Sequence, residues 1–432
     1  MEEVGNYGHY SNLEELQDKV YKCVKCGACR VALRQSLPSC PSGTKFGFDS
    51  YYALGRMELA RSLVEGELEW SEKIATRFYR CTMCGTCDAH CSYALGVFRP
   101  LEILMTVRRE LVKRGLGPLP GHRPVVDSMR EYKNPFLQPA GKRGKLIKGK
   151  KVAPDKEVLF FVGCAFEFDP TSQFIAKATA GILDKAKVKW GTLEDEEICC
   201  GAPVFDIGCE DAFAALAQEN LAKINALNVK TIVTSCPGCS HIMKLQWTRY
   251  GELRPKVMHI SEFASQLLRE KRLSVTKEFK KKVTLHDPCW LGRYTGTFEE
   301  PRDILRAIPG IELVEMERIR QEGYCCGAGG GAMIAFPEWA AENAASRLEE
   351  GLSVGAEAMV IPSCPECYLN FDIALHGYAG AVKLFQQVWE KTPVAMRFLG
   401  VAGKLASPFL KRRKKIDIEL IDETQLLDQV TG

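Results

Sequence analysis

Residues 231–239 read Thr-Ile-Val-Thr-Ser-Cys-Pro-Gly-Cys, a short β-branched run that leads directly into a Cys-x-x-Cys pair. The same combination returns at residues 358–367, where Ala-Met-Val-Ile is followed by Pro-Ser-Cys-Pro-Glu-Cys. Runs of this length and composition are typical of short buried strands. Ligands of parallel sheets collect at the carboxyl ends of the strands, and each cysteine pair falls at such an end. The two stretches therefore predict two α/β units that each present thiols at one edge of a sheet.

The rest of each unit repeats as well. The first copy contains, in chain order, Cys164, Cys199-Cys200-Gly201 and the pair Cys236 and Cys239. The second copy contains Cys289, Cys325-Cys326-Gly327 and the pair Cys364 and Cys367. Matching positions are offset by 125, 126 and 128 residues, which indicates an internal duplication. Stretches with helical periodicity, at 211–227 and 338–350, alternate with the strands, so each copy is predicted to fold as parallel β-α-β units.

Each copy therefore brings five thiols to one predicted site. Five exceeds the four ligands of a structural zinc site and the four cysteines of an ordinary [4Fe–4S] cubane. Adjacent cysteines such as Cys199 and Cys200 also point in different directions, which suits neighbouring irons of an unusual cluster. The spacing alone indicates a five-thiolate metal site in each copy without naming the metal.

Two further cysteine groups lie near the N-terminus. The first is Cys23, Cys26, Cys29 and Cys40, and the second is Cys81, Cys84, Cys87 and Cys91. Three cysteines at two-residue gaps plus a distant fourth form the pattern of a [4Fe–4S] cubane. Zinc is the competing interpretation, but zinc hooks supply two cysteines at a time, whereas each of these loops supplies three.

The fourth cysteines are predicted to cross between the two groups. In two-cluster ferredoxins, the last cysteine of each run ligates the other cluster. The crossing would place Cys91 with Cys23, Cys26 and Cys29, and Cys40 with Cys81, Cys84 and Cys87. Apolar residues at helical spacing over 57–80 and 100–114 predict that this N-terminal unit is helical.

Composition limits the class of protein. The chain has 432 residues, 19 cysteines and a net charge of only +4, which argues against a nucleic-acid partner. No apolar run approaches the roughly 18–20 residues that a membrane span needs, and the acidic N-terminus shows no secretory signal. We therefore expect a cytoplasmic protein, peripheral on the cytoplasmic face of a membrane through a partner if it is attached to one.

The cysteine-rich repeats resemble the "CCG" domains of heterodisulfide reductase catalytic subunits. The order of parts, two cubane loops followed by two CCG domains, is similar to that of the D subunit of these enzymes, and the match runs over roughly residues 15–395. It extends to His286-Asp287-Pro288-Cys289-Trp290 and to Cys325-Cys326-Gly327-Ala328-Gly329-Gly330-Gly331. The expected fold class is an α+β multidomain protein with a helical ferredoxin-like domain and two duplicated Rossmann-like α/β domains. The expected bounds are 1–150 for the ferredoxin-like domain, 151–276 and 277–400 for the CCG domains, and 401–432 for a C-terminal tail.

The resemblance implies the cofactors and the reaction. Each complete CCG motif in that family binds a noncubane [4Fe–4S] cluster, and two such clusters face one substrate pocket. The chain would then hold two cubane and two noncubane clusters and reduce a thiol disulfide of the coenzyme M–coenzyme B class. The implied partner is an electron-donor subunit, such as a membrane b-type cytochrome or a flavin/iron–sulfur subunit, in an oxygen-sensitive pathway such as methanogenesis. Relatives with other substrates leave a second hypothesis, an electron-transfer subunit of a membrane-associated quinone-linked or 2-hydroxyacid dehydrogenase complex.

Several other residues are candidates for a role. His286, three residues before Cys289, is a candidate proton donor to a leaving thiolate, with a structural histidine as the alternative. Arg293 could bind an anionic substrate group or form an ordinary salt bridge. His241 and His259 are expected to be structural, Cys209 has no assigned role, and the glycines at 327–331 favour close approach to a cluster over a dinucleotide site. The basic runs 142–151 and 411–415 are expected to be solvated linkers, with docking to a membrane or an acidic partner as the alternative.

Overall fold

The computed structural model describes residues 17–32, 36–95, 99–376 and 416–432. The N-terminal region is helical, as the sequence predicts. Its helices are α1 (Gln17–Val20), α2 (Pro41–Phe46), α3 (Ala53–Val64), α4 (Glu72–Tyr79), α5 (Thr86–Leu95), α6 (Pro100–Lys113) and α7 (Arg123–Tyr132). Two strands of two residues each, β1 (Val31–Ala32) and β2 (Leu37–Pro38), pair in antiparallel orientation beside these helices. The predicted helix over 57–80 is divided into α3 and α4, with Ser71 accepting the Ile74 N–H as the N-cap of α4.

The first repeat folds around a parallel sheet of four strands in the order β4-β3-β5-β6. The strands are β3 (Val158–Phe160), β4 (Trp190–Gly191), β5 (Thr231–Thr234) and β6 (Lys256–His259). The helices are α8 (Cys164–Phe168), α9 (Gln173–Lys185), α10 (Ala202–Asp206), α11 (Glu210–Asn225), α12 (Pro237–His241) and α13 (Ile260–Arg269). The sheet is buried on both faces, which explains the apolar, β-branched composition of β5.

The second repeat has the same topology, with strand order β10-β9-β7-β8. Its strands are β7 (Lys281–Leu285), β8 (Ile311–Leu313), β9 (Ala358–Ile361) and β10 (Glu419–Asp422). Its helices are α14 (Cys289–Thr295), α15 (Glu299–Arg306), α16 (Ala332–Ala335), α17 (Pro337–Ser353), α18 (Pro365–His376) and α19 (Glu423–Val430). Because β3, β4, β5 and β6 correspond in order to β7, β8, β9 and β10, the predicted duplication and the α/β fold class are confirmed.

The expected C-terminal tail contains part of the second sheet. Residues 419–422 pair in parallel with 358–361, and Asp422 then caps α19 by accepting the N–H groups of Thr424 and Gln425. Strand β10 occupies the place that β6 has in the first copy. Sequence reasoning placed these residues in a tail because the 57 residues between β9 and β10 exceed the 21 between β5 and β6. The basic run 411–415 lies outside the described residues.

The two copies pack through each other's helices. Helix α19 of the second copy packs on α9 of the first, and α13 of the first copy packs on α15 of the second. An ion pair between Lys185 and Asp428, with Nζ 2.9 Å from Oδ1, joins α9 to α19. This reciprocal packing holds the carboxyl ends of both sheets in a fixed relation.

Among the helices of the described residues, none is long and apolar enough to cross a membrane.

Candidate metal centres

The N-terminal cysteines line two separate cavities. One cavity is lined by Cys23, Cys26, Cys29 and Cys91, together with Met57 and Pro100. The other is lined by Cys40, Cys81, Cys84 and Cys87, together with Arg56. The last cysteine of each group thus lies with the first three of the other group. We call these cavities the first and second N-terminal sites.

The two N-terminal sites differ in exposure. Cys26 of the first site is exposed, whereas Cys81, Cys84 and Cys87 of the second site are all buried. Burial raises the pKa of Cys40 to about 12, and the neighbouring Arg56 guanidinium opposes that shift. The Cys40 Sγ accepts the N–H of Gly43 at 3.4 Å at the start of α2, where helix N–H groups favour negative charge. The second site is therefore the more shielded from solvent of the two.

In the first repeat, all five predicted thiols are buried and follow strand ends. Cys164 begins α8, the Cys199-Cys200 pair precedes α10, and Cys236 caps α12 by accepting the N–H of Cys239 at 3.4 Å. The Cys200 and Cys239 Sγ atoms lie 3.3 Å apart. Hydrogen bonds from the Cys199 and Cys239 thiols lower the pKa of Cys200 to about 6. A thiolate is thus stabilised at the centre of the group, as metal binding requires.

The second repeat forms the equivalent group. The Cys364 and Cys367 Sγ atoms lie 2.8 Å apart, and Cys364 Sγ accepts the Cys367 N–H at 3.3 Å. Cys325 Sγ accepts the Gly327 N–H at 3.3 Å. Hydrogen bonds from the Cys325 and Cys367 thiols lower the pKa of Cys326, so this pair matches Cys199 and Cys200. We call the two groups the first and second five-cysteine sites.

His286 lies at the second five-cysteine site. One of its ring nitrogens and the Sγ atoms of Cys326 and Cys367 all lie within 4.8 Å of one another. The ring packs edge-on against Phe371 at 4.9 Å, and its Nδ1 accepts the Nε–H of Arg347 at 3.4 Å. Burial lowers the pKa of His286 to about 3, and Arg347 adds to the shift, so the ring is neutral at physiological pH. His241 and His259 are also fully buried.

The two five-cysteine sites face each other across the interface between the copies. Helix α12, which carries Cys239, packs on α14, which begins at Cys289. A Cβ on Gly238 would lie 3.1 Å from the ring of Trp290, so a larger residue there would push this ring away by a few tenths of an ångström. Burial raises the pKa of Cys364 to about 12, and the charge of Cys236 in the other copy contributes to that shift. The thiols of both copies therefore share one electrostatic environment.

The second N-terminal site contacts the second repeat directly. A hydrogen bond to the Cys325 thiol, with burial, raises the pKa of Cys84 well above its ordinary value. Arg293 reinforces this contact, donating from Nε to the Cys84 carbonyl at 2.7 Å and from Nη1 to the Gly323 carbonyl at 2.6 Å. Arg293 thus donates to main-chain carbonyls at this junction. The sequence alone had suggested either an anionic substrate group or a salt bridge as its partner.

Sequence reasoning missed two buried arginines. Arg143 lies in the basic run that was expected to be a solvated linker, but it is only 5% exposed. Its Nη1 lies 3.2 Å from Cys164 Sγ, and its Nη2 pairs with Glu197, which also accepts the Gly163 N–H at 2.8 Å. Its expected solvation was wrong, because the buried carboxylate of Glu197 and the thiol of Cys164 converge on it. The flanking lysines of the run gave no signal that distinguished Arg143.

Arg108 is the second buried arginine, and it joins all three parts of the molecule. From α6 it donates to the carbonyls of Phe78 at 2.9 Å and Cys81 at 2.7 Å in the N-terminal region. It also donates to the carbonyls of Asp206 in the first repeat at 2.6 Å and of Gly330 in the second at 2.9 Å. No sequence motif marks Arg108, because its partners are main-chain carbonyls from distant segments.

Family comparisons match the same parts of the chain. A model of the CCG cysteine-rich domain matches residues 158–244 and 283–372, and a model of the 4Fe-4S dicluster domain matches residues 19–95. The D subunit of the dihydromethanophenazine:CoB–CoM heterodisulfide reductase of Methanosarcina mazei is 32% identical over 305 residues, covering 69% of this chain and 73% of that protein. The chain belongs to the family of heterodisulfide reductase D subunits. It is an iron–sulfur oxidoreductase, and the two matched family models confirm the prediction that the chain binds [4Fe–4S] clusters.

Other relatives of this heterodisulfide reductase-like chain carry different names. The EtfAB:quinone oxidoreductase of Syntrophomonas wolfei is 30% identical over 311 residues, covering 66% of this chain and 42% of that protein. The B subunit of the CoM/CoB fumarate reductase of Methanothermobacter marburgensis is 32% identical over 297 residues, covering 69% of this chain and 57% of that protein. Proteins named for a disulfide, a quinone and fumarate are therefore all similar to this chain.

Proposed function

We propose that this protein reduces a small-molecule disulfide, of the coenzyme M–coenzyme B heterodisulfide class, between its two five-cysteine sites. The observation that carries the proposal is the pairing of two complete sites across the α12–α14 contact. A disulfide has two sulfur atoms, and two facing sites can each receive one of them. Relatives named for the heterodisulfide support the choice of substrate.

The cysteine groups define the proposed ligand sets. The first and second N-terminal sites would each hold one cubane [4Fe–4S] cluster, with the fourth cysteines crossed as the cavities group them. The five-cysteine sites would each hold one noncubane [4Fe–4S] cluster. When bound, these clusters supply one-electron redox chemistry and, at the noncubane sites, iron that can bind a sulfur. Converging thiols and main-chain N–H donors at the helix starts fit such groups.

The domain division follows from the same grouping. We propose that residues 1–150 form the ferredoxin-like domain and 151–276 the first CCG domain. The second CCG domain would begin at 277 and include residues 416–432, because β10 completes its sheet. His286 lies beside Cys326 and Cys367. Its ring is neutral, so it is proposed to donate a hydrogen bond from Nε2 to the sulfur of a leaving thiolate, and not the proton that its position before Cys289 suggests.

Electron entry is proposed at the first N-terminal site. Its Cys26 is exposed, and so is Val24 of the same cavity, at 65%; Tyr21, two residues before Cys23, is 50% exposed. An apolar surface around a redox site suits docking of a partner protein. The partner would be an electron-donor subunit, such as a b-type cytochrome or a flavin/iron–sulfur subunit. The Cys84–Cys325 contact then joins the N-terminal sites to the five-cysteine sites.

Activity of the anaerobically purified protein tests the proposal. With a reduced viologen as donor, it should consume the coenzyme M–coenzyme B disulfide and contain about 16 irons per chain, as four clusters of four require. Cys326→Ala should abolish disulfide reduction while the signals of the N-terminal clusters remain. Cys209→Ala is the matched control, because Cys209 is equally buried but lines none of these sites. A fully metallated protein that reduces no disulfide would contradict the proposal and favour an electron-transfer subunit of a quinone-linked or 2-hydroxyacid dehydrogenase complex.

A further inference from the structure

A small cavity lies beneath α6, where the N-terminal region meets both repeats. Leu101 and Met105 of α6 form an apolar wall, and Asp206 and Gln246 of the first repeat lie among the residues on the other side. The cavity is partly open to solvent and has room for ordered water. Leu101 also lines the second N-terminal site, so the two cavities are adjacent.

Gln246 gives this cavity a polar group that needs a partner. It ends a π-helical turn, Ile242–Gln246, and is only 1% exposed. π-helical turns are rare and are found frequently at functional sites. Among the described residues, no group accepts a hydrogen bond from its Nε2. Since buried amide donors are nearly always satisfied, water in the cavity is the natural acceptor.

Asp206 lines the cavity and is buried. It is 6% exposed, and its Oδ2 accepts the N–H of Gly330 at 2.9 Å. Burial raises its pKa to about 7; the nearby Arg108 guanidinium opposes the shift and the Glu366 carboxylate adds to it. The carboxyl group is therefore divided between its protonated and ionised forms near neutral pH, as a proton relay requires.

The other charged and titratable groups around the cavity leave that role to Asp206. Arg109 of α6 is paired with Glu210 at 2.8 Å. Burial lowers the pKa of His241 to about 3, so its ring is neutral at physiological pH. Glu102 of α6 and Tyr294 of the second repeat also line the cavity.

Asp206 also lies next to the second five-cysteine site. Its partner Gly330 belongs to the loop that follows Cys325 and Cys326. The Glu366 carboxylate that acts on Asp206 lies between Cys364 and Cys367, with its Oε2 3.9 Å from Cys364 Sγ. Asp206 therefore lines the water-accessible cavity and is within electrostatic reach of a carboxylate that lies beside Cys364.

We propose that the cavity beneath α6 and Asp206 form the proton-entry path that serves the paired five-cysteine sites. The inference rests on the proposed function, because the reaction RS–SR′ + 2 e⁻ + 2 H⁺ → RSH + R′SH consumes two protons. The S–S bond breaks, each sulfur gains one electron and one proton, and the electron donor is oxidised. The electrons arrive from the reduced donor through the N-terminal sites. The protons arrive from water through the cavity and Asp206, which is a relay residue and does not contact the substrate.

Asp206→Asn tests the path, because asparagine keeps the acceptor oxygen for Gly330 but cannot carry the proton. At saturating disulfide and pH 7, kcat should fall roughly tenfold or more with KM unchanged, and the solvent isotope effect should increase. Gln246→Met, which removes only the amide, should lower kcat by less. Asp422→Asn is the matched control, since burial also raises the pKa of Asp422 to about 7 but it lies away from the cavity and keeps its capping role as asparagine.

An infrared measurement separates this inference from the proposed function. Reduction of the clusters in the wild-type protein should change a carboxylic C=O band that disappears in Asp206→Asn and persists in Asp422→Asn. If the wild type reduces no disulfide but shows this band, the proposed substrate is wrong and proton uptake at Asp206 is supported. If the band and the kcat of Asp206→Asn equal those of the wild type, the path is refuted.

Discussion

Arg108→Met should loosen the junction between the N-terminal region and the two repeats. Arg108 is completely buried, and methionine replaces the aliphatic part of its side chain but donates no hydrogen bond. Two of its bonds, to the carbonyls of Asp206 at 2.6 Å and Gly330 at 2.9 Å, cross from α6 to the two repeats. Bonds from a charged donor contribute about 1.5–3 kcal/mol each, so these two contribute about 3–6 kcal/mol. Relief of the buried guanidinium returns part of this, which leaves an expected loss of about 3 kcal/mol.

Anaerobic urea titration of the holoprotein provides the assay, followed by tryptophan fluorescence and by cluster absorbance. The Arg108→Met variant should unfold at lower urea and lose disulfide reduction before its N-terminal cluster signals change. Arg108→Lys should be intermediate, because lysine keeps the charge but lacks the planar fork that serves several carbonyls. Arg114→Met is the control. Arg114 follows the last residue of the same helix, α6, and is 39% exposed, and its ion pair with Glu110 contributes less than about 1 kcal/mol. If Arg108→Met and Arg114→Met unfold at the same urea concentration, the junction does not depend on Arg108.

Three further results are expected. Cys91→Ser should remove the same cubane signal as Cys26→Ser in electron paramagnetic resonance spectra; loss of different signals would refute the crossed ligand sets. Val24→Asp should slow reduction by the physiological donor but not by a small viologen, whereas Leu68→Asp, at another exposed apolar residue, should slow neither. Glu423→Gln should flatten the pH dependence of stability. Burial raises the pKa of Glu423 from 4.5 to about 8, so the folded wild type loses a few kcal/mol of stability at most as the pH rises from 4.5 to about 8. Equal denaturation midpoints of wild type and Glu423→Gln across that pH range would contradict this last expectation.

The sequence predicted what is local and strongly patterned. Cysteine motifs at strand ends located both five-cysteine sites, because a parallel sheet brings successive strand ends to one edge. The grouping of Cys91 with the first loop came from cluster chemistry and is matched by the cavities. The α/β class came from strands such as β5 and β9, whose composition suits a sheet buried on both faces.

What the sequence did not predict depends on contacts between distant segments. Arg108 and Arg143 resemble ordinary surface arginines in the sequence, and only the folded chain shows that carbonyls, Glu197 and Cys164 surround them. Strand β10 was missed because a long intervening segment hides its correspondence to β6. His286 was named from its spacing to Cys289, but the thiols nearest to it belong to Cys326 and Cys367.

The reciprocal packing of α13 on α15 and of α19 on α9 has a consequence for how the sequence can vary. Each repeat buries a face that a single free repeat would expose to solvent. The residues on that face must therefore fit both their own repeat and the other one. A substitution in α9 changes the packing of α19, the helix that follows β10, more than 230 residues away in the chain. In a saturation mutagenesis scan, tolerance should therefore be correlated between the two copies at these helices, and recombining one repeat with that of a distant homologue should fail unless both are exchanged together.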